Sequence, residues 1–518
     1  MAQSKLHIAM FPWFAFGHMT PFLHLSNELA QRGHQISFLL PKKAQIQLQN
    51  ANLHPNLITF YALSVPHVEG LPPGAETASE IPIFLNSSLA AAMDLMRDQV
   101  KDKIHQLKPD FVFYDSAHWI PELASEIGIK TVCYNVVCAA SIAIALVPAR
   151  KPGKDRSVSD EELMEPPAGY PSSSVVLRKH DARSLSFIFT EFGDGITFYE
   201  RVTTAMRNCD AISIRTCREL EGPLCDYIGN QYGKPMLLTG PVLPEPTKAP
   251  LEHRWAEFLN SFEPGTVVFC AFGSQIILEK QQFQELVLGL ELTGMPFLIA
   301  LKPPFGCTTI EEALPEGFED MIRGRGIVHG GMVQQPLILN HTSIGCFVSH
   351  CGFGSMWESL MSACQIVLVP HLGDQILNTR LLAEELKTAV EVVRHENGWF
   401  TKEDLCKAIK SVMDKDRMLE ASSYMFKELD GVLTVSKGAT CDNESDKKQW
   451  LVHIARTKVS KTVHGTEGTL DHINSDLWGP SPVATHCGGS TKATLQAVVA
   501  LSTTKAEFVA TTKEGNES

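Results

Sequence analysis

Residues 349–360 read SHCGFGSMWESL: a His and a Cys, two glycines flanking a Phe, then a Ser followed three places later by a Glu. Three chemistries suit such residues. His350 beside Cys351 suggests a metal, but no further ligands stand at zinc-site spacing and the chain has no C-x-x-C. Ser355 and Glu358 form S-x-x-E, the pattern of a helix capping box that needs no ligand. Gly352 and Gly354 permit tight backbone geometry and close approach. A helix starting there would present unpaired N–H groups and a partial positive charge to an anion such as phosphate, with His350 donating one more hydrogen bond. The motif alone supports capping and anion binding equally.

Such a motif has to be placed by a strand and a helix, and both are legible. SIGCFVSH (343–350) is a buried-strand pattern and GSMWESLMSA a helical one, so the motif is a strand–turn–helix junction. Near the start, KLHIAMFPW is an apolar run stopped at Pro12. A Gly-containing loop follows, then PFLHLSNELAQRGHQISFLLP, where Phe22, Leu25 and Leu29 recur at helical spacing, Gly33 is a C-terminal cap and QISFLL a second strand. PDFVFYD (109–115), IPELASEIG and IKTVCYNVV repeat the alternation. Strand–helix–strand implies right-handed parallel units, so residues 1–240 are expected to form one doubly wound α/β domain. Four prolines in GPVLPEPTKAP mark a linker over 241–252. TVVFCAFGS, QQFQELVLGLEL, PFLIAL, SIGCFVSH and CQIVLVPHLGDQ carry a second α/β domain over 253–416. Two such domains facing each other leave a ligand crevice at the carboxyl ends of both sheets.

Composition narrows the function classes. At 518 residues the chain exceeds one ordinary core, and 44% hydrophobic with 20% charged residues is a soluble globular balance. A net charge of −13 without a Lys/Arg run argues against nucleic acid or an anionic membrane as partner. Thirteen scattered cysteines read as reduced thiols in a cytoplasmic protein. The N-terminus lacks the apolar run of a signal peptide. The most apolar stretch, 131–149, holds Asn135 and Ser141 and reads as a buried strand and core helix, not a membrane span. A Rossmann dehydrogenase is disfavoured because no G-x-G-x-x-G follows the first strand.

The 44 residues from Met332 to Gln375, MVQQPLILNHTSIGCFVSHCGFGSMWESLMSACQIVLVPHLGDQ, resemble the signature box of plant UDP-dependent glycosyltransferases at both ends and in the spacing between. FPWFAFGHMTPFLHLSNELAQRGH is similar to the opening of that family. HCGFGSMWES and GRGIVHGGMVQQP most resemble the branch that adds a sugar to the sugar of a flavonoid or anthocyanin glycoside. The resemblance runs from about Lys5 to about Asp416. It implies a GT-B fold of two Rossmann-like domains facing a cleft. It also implies a cytoplasmic, monomeric plant enzyme that takes a UDP-sugar as co-substrate and needs neither cofactor nor metal.

Site residues follow from the same resemblance. Met332, Val333 and Gln335 belong to the donor site, with positions 332 and 335 holding the uracil. Glu358 binds the ribose hydroxyls. Ser274, His350 and Ser355 contact the diphosphate, in loops that include Gly352 and Gly354, while Asp374 and Gln375 hydrogen-bond the donor sugar. His18, in FGHMTP just after Gly17, itself a substrate-site candidate, stands where the family places the base that deprotonates the acceptor hydroxyl. An imidazole suits that task because it titrates near neutrality. Asp115, ending the apolar strand FVFY, stands where the family places the carboxylate that orients the base. In-line attack displacing UDP would invert the anomeric centre.

Two features depart from the family pattern. The box normally opens with Trp, whose ring stacks on uracil, and Met332 stands there instead, which predicts weaker UDP-sugar binding. Residues 417–518 do not continue the family. DGVLTVSKGA, GTEGTLDHINSDLWGPSPVATHCGGS and KATLQAVVALSTTKAEFVATTKEG resemble pieces of a copia-type retroelement polyprotein, with Asp476 at the place of the first integrase carboxylate. These pieces are too short to supply the carboxylates that hold two metal ions, so they are expected to be a disordered extension without catalysis. The family's closing helix, which crosses back onto the first domain, is not recognisable there. A second reading is therefore a UDP-sugar-binding remnant impaired in catalysis.

Overall fold

The computed structural model describes residues 5–150, 159–193, 195–243, 250–273, 276–371, 373–395 and 397–414. The tail 417–518, linker residues 244–249 and Ser274 lie outside these described residues.

Seven strands form the first sheet: β1 (His7–Phe11), β2 (Gln35–Pro41), β3 (Ile58–Leu63), β4 (Phe111–Tyr114), β5 (Lys130–Asn135), β6 (Ala211–Ile214) and β7 (Met236–Leu238). All pairings are parallel, in the order β3-β2-β1-β4-β5-β6-β7. Six strands form the second: β8 (Val267–Ala271), β9 (Phe297–Ala300), β10 (Gly326–His329), β11 (Ile344–Ser349), β12 (Gln365–Leu368) and β13 (Val390–Glu391). They too are parallel, ordered β10-β9-β8-β11-β12-β13. Central strands such as FVFY of β4 and VVFCA of β8 are buried at every position, as expected when helices cover both faces of a parallel sheet.

Local sequence explains the elements around the candidate site. Pro12 has no N–H to offer a ladder, and β1 ends at Phe11. The helix Phe16–Gln31 buries Met19, Phe22, Leu23, Leu25 and Leu29 on one side. Its exit is closed by Gly33 at φ +87°, whose N–H is donated to Ala30 O at 2.8 Å while that of His34 reaches Leu29 O at 3.2 Å.

Two local expectations are corrected. The first helix starts at Phe16, ahead of Pro21, so His18 occupies its first turn instead of the loop before it. Ala15 already accepts the N–H groups of His18 and Met19, at 2.9 Å each, and the helix runs on through Pro21. In the opening motif no capping box forms. The helix Phe353–Leu360 starts two residues before Ser355, with Gly352 as its N-cap and no side-chain cap. Ser355 is then a first-turn residue, and its hydroxyl lies too far along the helix to close that end.

The two halves pack directly on each other. Leu185 and Ile188 from the first half share one buried cluster with Met356, Trp357, Ile376 and Leu377 from the second.

Candidate active site

In each sheet the strand order reverses direction at one place, and loops leaving the carboxyl ends there part to form a crevice. In the first sheet that place lies between β1 and β4. His18 follows β1 and Asp115 directly follows β4, so topology brings together residues 97 positions apart. His18 Nδ1 lies 2.7 Å from Asp115 Oδ2. The other carboxylate oxygen accepts the backbone N–H of Trp13 at 2.7 Å and of Ser116 at 2.5 Å. Asp115 is thus anchored by both flanking loops, and its side chain is only 7% exposed, against 29% for His18. A carboxylate accepts at Nδ1, which puts the ring proton there and leaves Nε2 with its lone pair free to take a proton.

The second sheet reverses between β8 and β11. Gly273 ends the stretch after β8 and His350 directly follows β11, and the two meet. A Cβ on Gly273 would stand 3.1 Å from the imidazole of His350, and one on Gly352 only 2.5 Å from its Nε2. The two glycines therefore make room for the ring. Burial lowers the His350 pKa to about 4, so the ring is a neutral one-proton donor at ordinary pH. Cys351, next in the chain, adopts φ +60°, an uncommon conformation for a residue with a Cβ. Asn378 holds it there by donating from Nδ2 to Cys351 O at 2.8 Å, and the Cys351 N–H reaches Ser349 Oγ at 3.1 Å. Neither role is legible in the sequence, because the turn conformation and Asn378's partner become visible only in the fold. Past this turn the first N–H groups of the helix Phe353–Leu360 carry no side-chain cap, and a Cβ on Gly354 would meet nothing within 4 Å.

Beside that helix start Gln335 bridges two residues of the motif. Its Nε2 is donated to Ser355 Oγ at 3.1 Å and to Glu358 Oε2 at 2.7 Å. Burial pushes the Glu358 carboxyl above its ordinary range, with Gln335 and the Arg215 guanidinium pulling it back. Arg215 stands just after β6, in the other half of the molecule. Its guanidinium is held by Pro241 O at 2.6 Å and Val242 O at 3.1 Å. Val333 is half-buried against the cluster around Trp255, whereas Met332 is 84% exposed.

Asp374 and Gln375 open the helix Gly373–Arg380. Gln375 Oε1 accepts the N–H of His371 at 3.0 Å, which ties the loop after β12 to the helix start. Burial raises the Asp374 carboxyl to about 6, and the field of His18 from the opposite half acts against it. Asp374 with His18, and Glu358 with Arg215, are pairs drawn from different sheets. The carboxyl ends of the sheets therefore face one cleft. Among the described residues, no group of three or more His, Cys, Asp or Glu is placed to hold a metal ion. No described helix is long and apolar enough to cross a membrane.

Two parallel Rossmann-like sheets meeting at their carboxyl ends define the GT-B fold. Solved structures with that arrangement superpose on this one. Arabidopsis thaliana UGT89C1 complexed with UDP-L-rhamnose covers 84% of this chain and 95% of its own, with TM-score 0.66 and 21% identity. Glycyrrhiza uralensis UGT73P12 complexed with glycyrrhetinic acid 3-O-monoglucuronide covers 92% and 98%, with TM-score 0.69 and 20% identity. Residues 227–425 match the family described as UDP-glucoronosyl and UDP-glucosyl transferase. The chain is 61% identical over 418 residues to the anthocyanidin 3-O-glucoside 2'''-O-xylosyltransferase of Arabidopsis thaliana, spanning 80% of this chain and 89% of that one. It is 60% identical over 417 residues to UDP-glycosyltransferase 79B6 of the same plant, spanning 80% and 90%. The chain belongs to the plant UDP-glycosyltransferase family, and it is a glycosyltransferase.

Proposed function

We propose that the protein transfers a sugar from a UDP-sugar to a hydroxyl on the sugar of a flavonoid or anthocyanin glycoside, with inversion. The observation that carries the mechanism is the 2.7 Å bond between His18 Nδ1 and Asp115 Oδ2, set across the cleft from Asp374. The acceptor hydroxyl gives its proton to His18 Nε2 as its oxygen forms a bond to the anomeric carbon. The bond from that carbon to the β-phosphate oxygen breaks, and UDP leaves with the electron pair. Asp115 keeps the ring oriented and stabilises the imidazolium. The charge on the leaving diphosphate is met by His350, Ser274, Ser355 and the N–H groups of the helix start around Gly352 and Gly354. Gln335, Met332 and Val333 take the uracil, Glu358 the ribose, and Asp374 with Gln375 the sugar.

The acceptor class rests on the 61% identity to an enzyme named for a glucoside acceptor and a xylosyl donor. Glucose, xylose and rhamnose are all candidate donors, and xylose is the one that relative is named for. Purified full-length protein incubated with UDP-xylose, UDP-glucose or UDP-rhamnose and an anthocyanidin 3-O-glucoside is expected to yield the disaccharide glycoside. UDP binding without product from any of the three donors would instead support the remnant reading.

Met332 offers a direct check on the uracil contact. The thioether leaves the base without an aromatic partner, so Met332→Trp is expected to tighten UDP binding by roughly fivefold, corresponding to ~1 kcal/mol of stacking. An unchanged Kd in calorimetry would remove position 332 from the uracil site.

A further inference from the structure

The halves are joined by a buried cluster of charges that the steps above do not use. Asp181, in the first half, is fully buried, and each carboxylate oxygen accepts a guanidinium from the second half: Oδ2 from Arg380 and Oδ1 from Arg394, both at 2.6 Å. The N–H of Arg178 is also donated to Oδ2, at 3.0 Å. Arg380 bonds Glu391 as well, and Arg178 reaches over to Glu391 at 3.2 Å and Glu384 at 2.8 Å.

Arg380 is the last residue of the helix Gly373–Arg380, whose second and third residues are Asp374 and Gln375. The start of that helix rests on the same segment of the first half. A Cβ on Gly373 would lie 2.7 Å from Leu185 Cδ2, so glycine lets the helix seat against Leu185. Segment 178–185 thus grips the helix at both ends. Further along, Phe192 packs on Trp13 with ring centroids 5.5 Å apart, and the Trp13 N–H is one of the two backbone anchors of Asp115.

Apolar contact would hold two domains together without the cost of desolvating four charges. What paired guanidinium groups add is direction, because their planar forks accept a carboxylate only in narrow geometries. We propose that Asp181 is a positioning residue for the donor sugar, fixing the helix Gly373–Arg380 at the depth where Asp374 and Gln375 reach it. This rests on the reading of those two residues as sugar contacts.

The test compares Asp181→Asn, Asp181→Glu, Arg178→Ala and Asp374→Ala by steady-state kinetics with the UDP-sugar and by calorimetry with UDP alone. Asp181→Asn is expected to lower kcat/KM for the UDP-sugar on the order of 10–100-fold, the scale of a sub-ångström to ångström misplacement. UDP itself, which lacks the sugar, should bind as before, and Asp181→Glu should recover part of the loss. Should Asp181→Asn fail to fold, Arg178→Ala loosens the same cluster from its exposed rim and should show the same split in smaller measure. Unchanged kcat/KM in the folded variants, or equal weakening of UDP and UDP-sugar, overturns the proposal. An unaffected Asp374→Ala overturns it together with the reading beneath it.

Discussion

His18→Ala lowers kcat for sugar transfer by about 10²–10⁴-fold, the range that a positioned general base supplies, and leaves UDP affinity unchanged. The two halves of this expectation come from separate parts of the geometry. His18 is bonded to Asp115, which is in turn held by the Trp13 and Ser116 N–H groups, so the imidazole is fixed before any substrate arrives. In the proposed mechanism, removing it deletes the proton acceptor. It removes none of the groups that surround Gln335, Ser355 and Glu358 in the other half. Single-turnover product formation, measured beside calorimetry with UDP, separates the two. Retained transfer in the variant would mean that another group takes the proton, and the base assignment would fall.

His18 and Asp115 also show where sequence reading stops. Each is a candidate through the family resemblance; read from its own surroundings alone, each has an ordinary alternative, a helix-start His and a turn Asp. What joins them is the adjacency of β1 and β4, a property of strand order that no local pattern encodes. The strongly apolar strands, β1, β2, β4, β5, β8, β9, β11 and β12, are visible in the sequence because burial on both faces leaves continuous runs. β3 is half-exposed and β7 only three residues long, so their patterns are diluted. The S-x-x-E pattern correctly announces a helix but misplaces its start, because Gly352 ends the extended backbone before Ser355 is reached. Asp181 and Arg380 stand 199 residues apart, and only the packing of the halves makes them partners.

Glu358→Ala is expected to raise the Kd for UDP on the order of 10–100-fold, the worth of hydrogen bonds from ribose hydroxyls to a charged, sheltered carboxylate. The residue is half-buried at the helix that follows the Cys351 turn, and one of its oxygens already accepts from Gln335. Burial alone makes its charge costly, and Gln335 and Arg215 offset that cost. A carboxylate kept in such a place would gain most from the two further donors that a ribose brings. The decisive comparison uses 2'-deoxy-UDP. If Glu358 holds the hydroxyls, the native protein prefers UDP over the deoxy form and the alanine variant loses that preference. A variant that weakens both ligands equally while keeping the preference would show that Glu358 acts only through the shape of the Gln335–Ser355 cluster, and the ribose contact would have to be sought elsewhere.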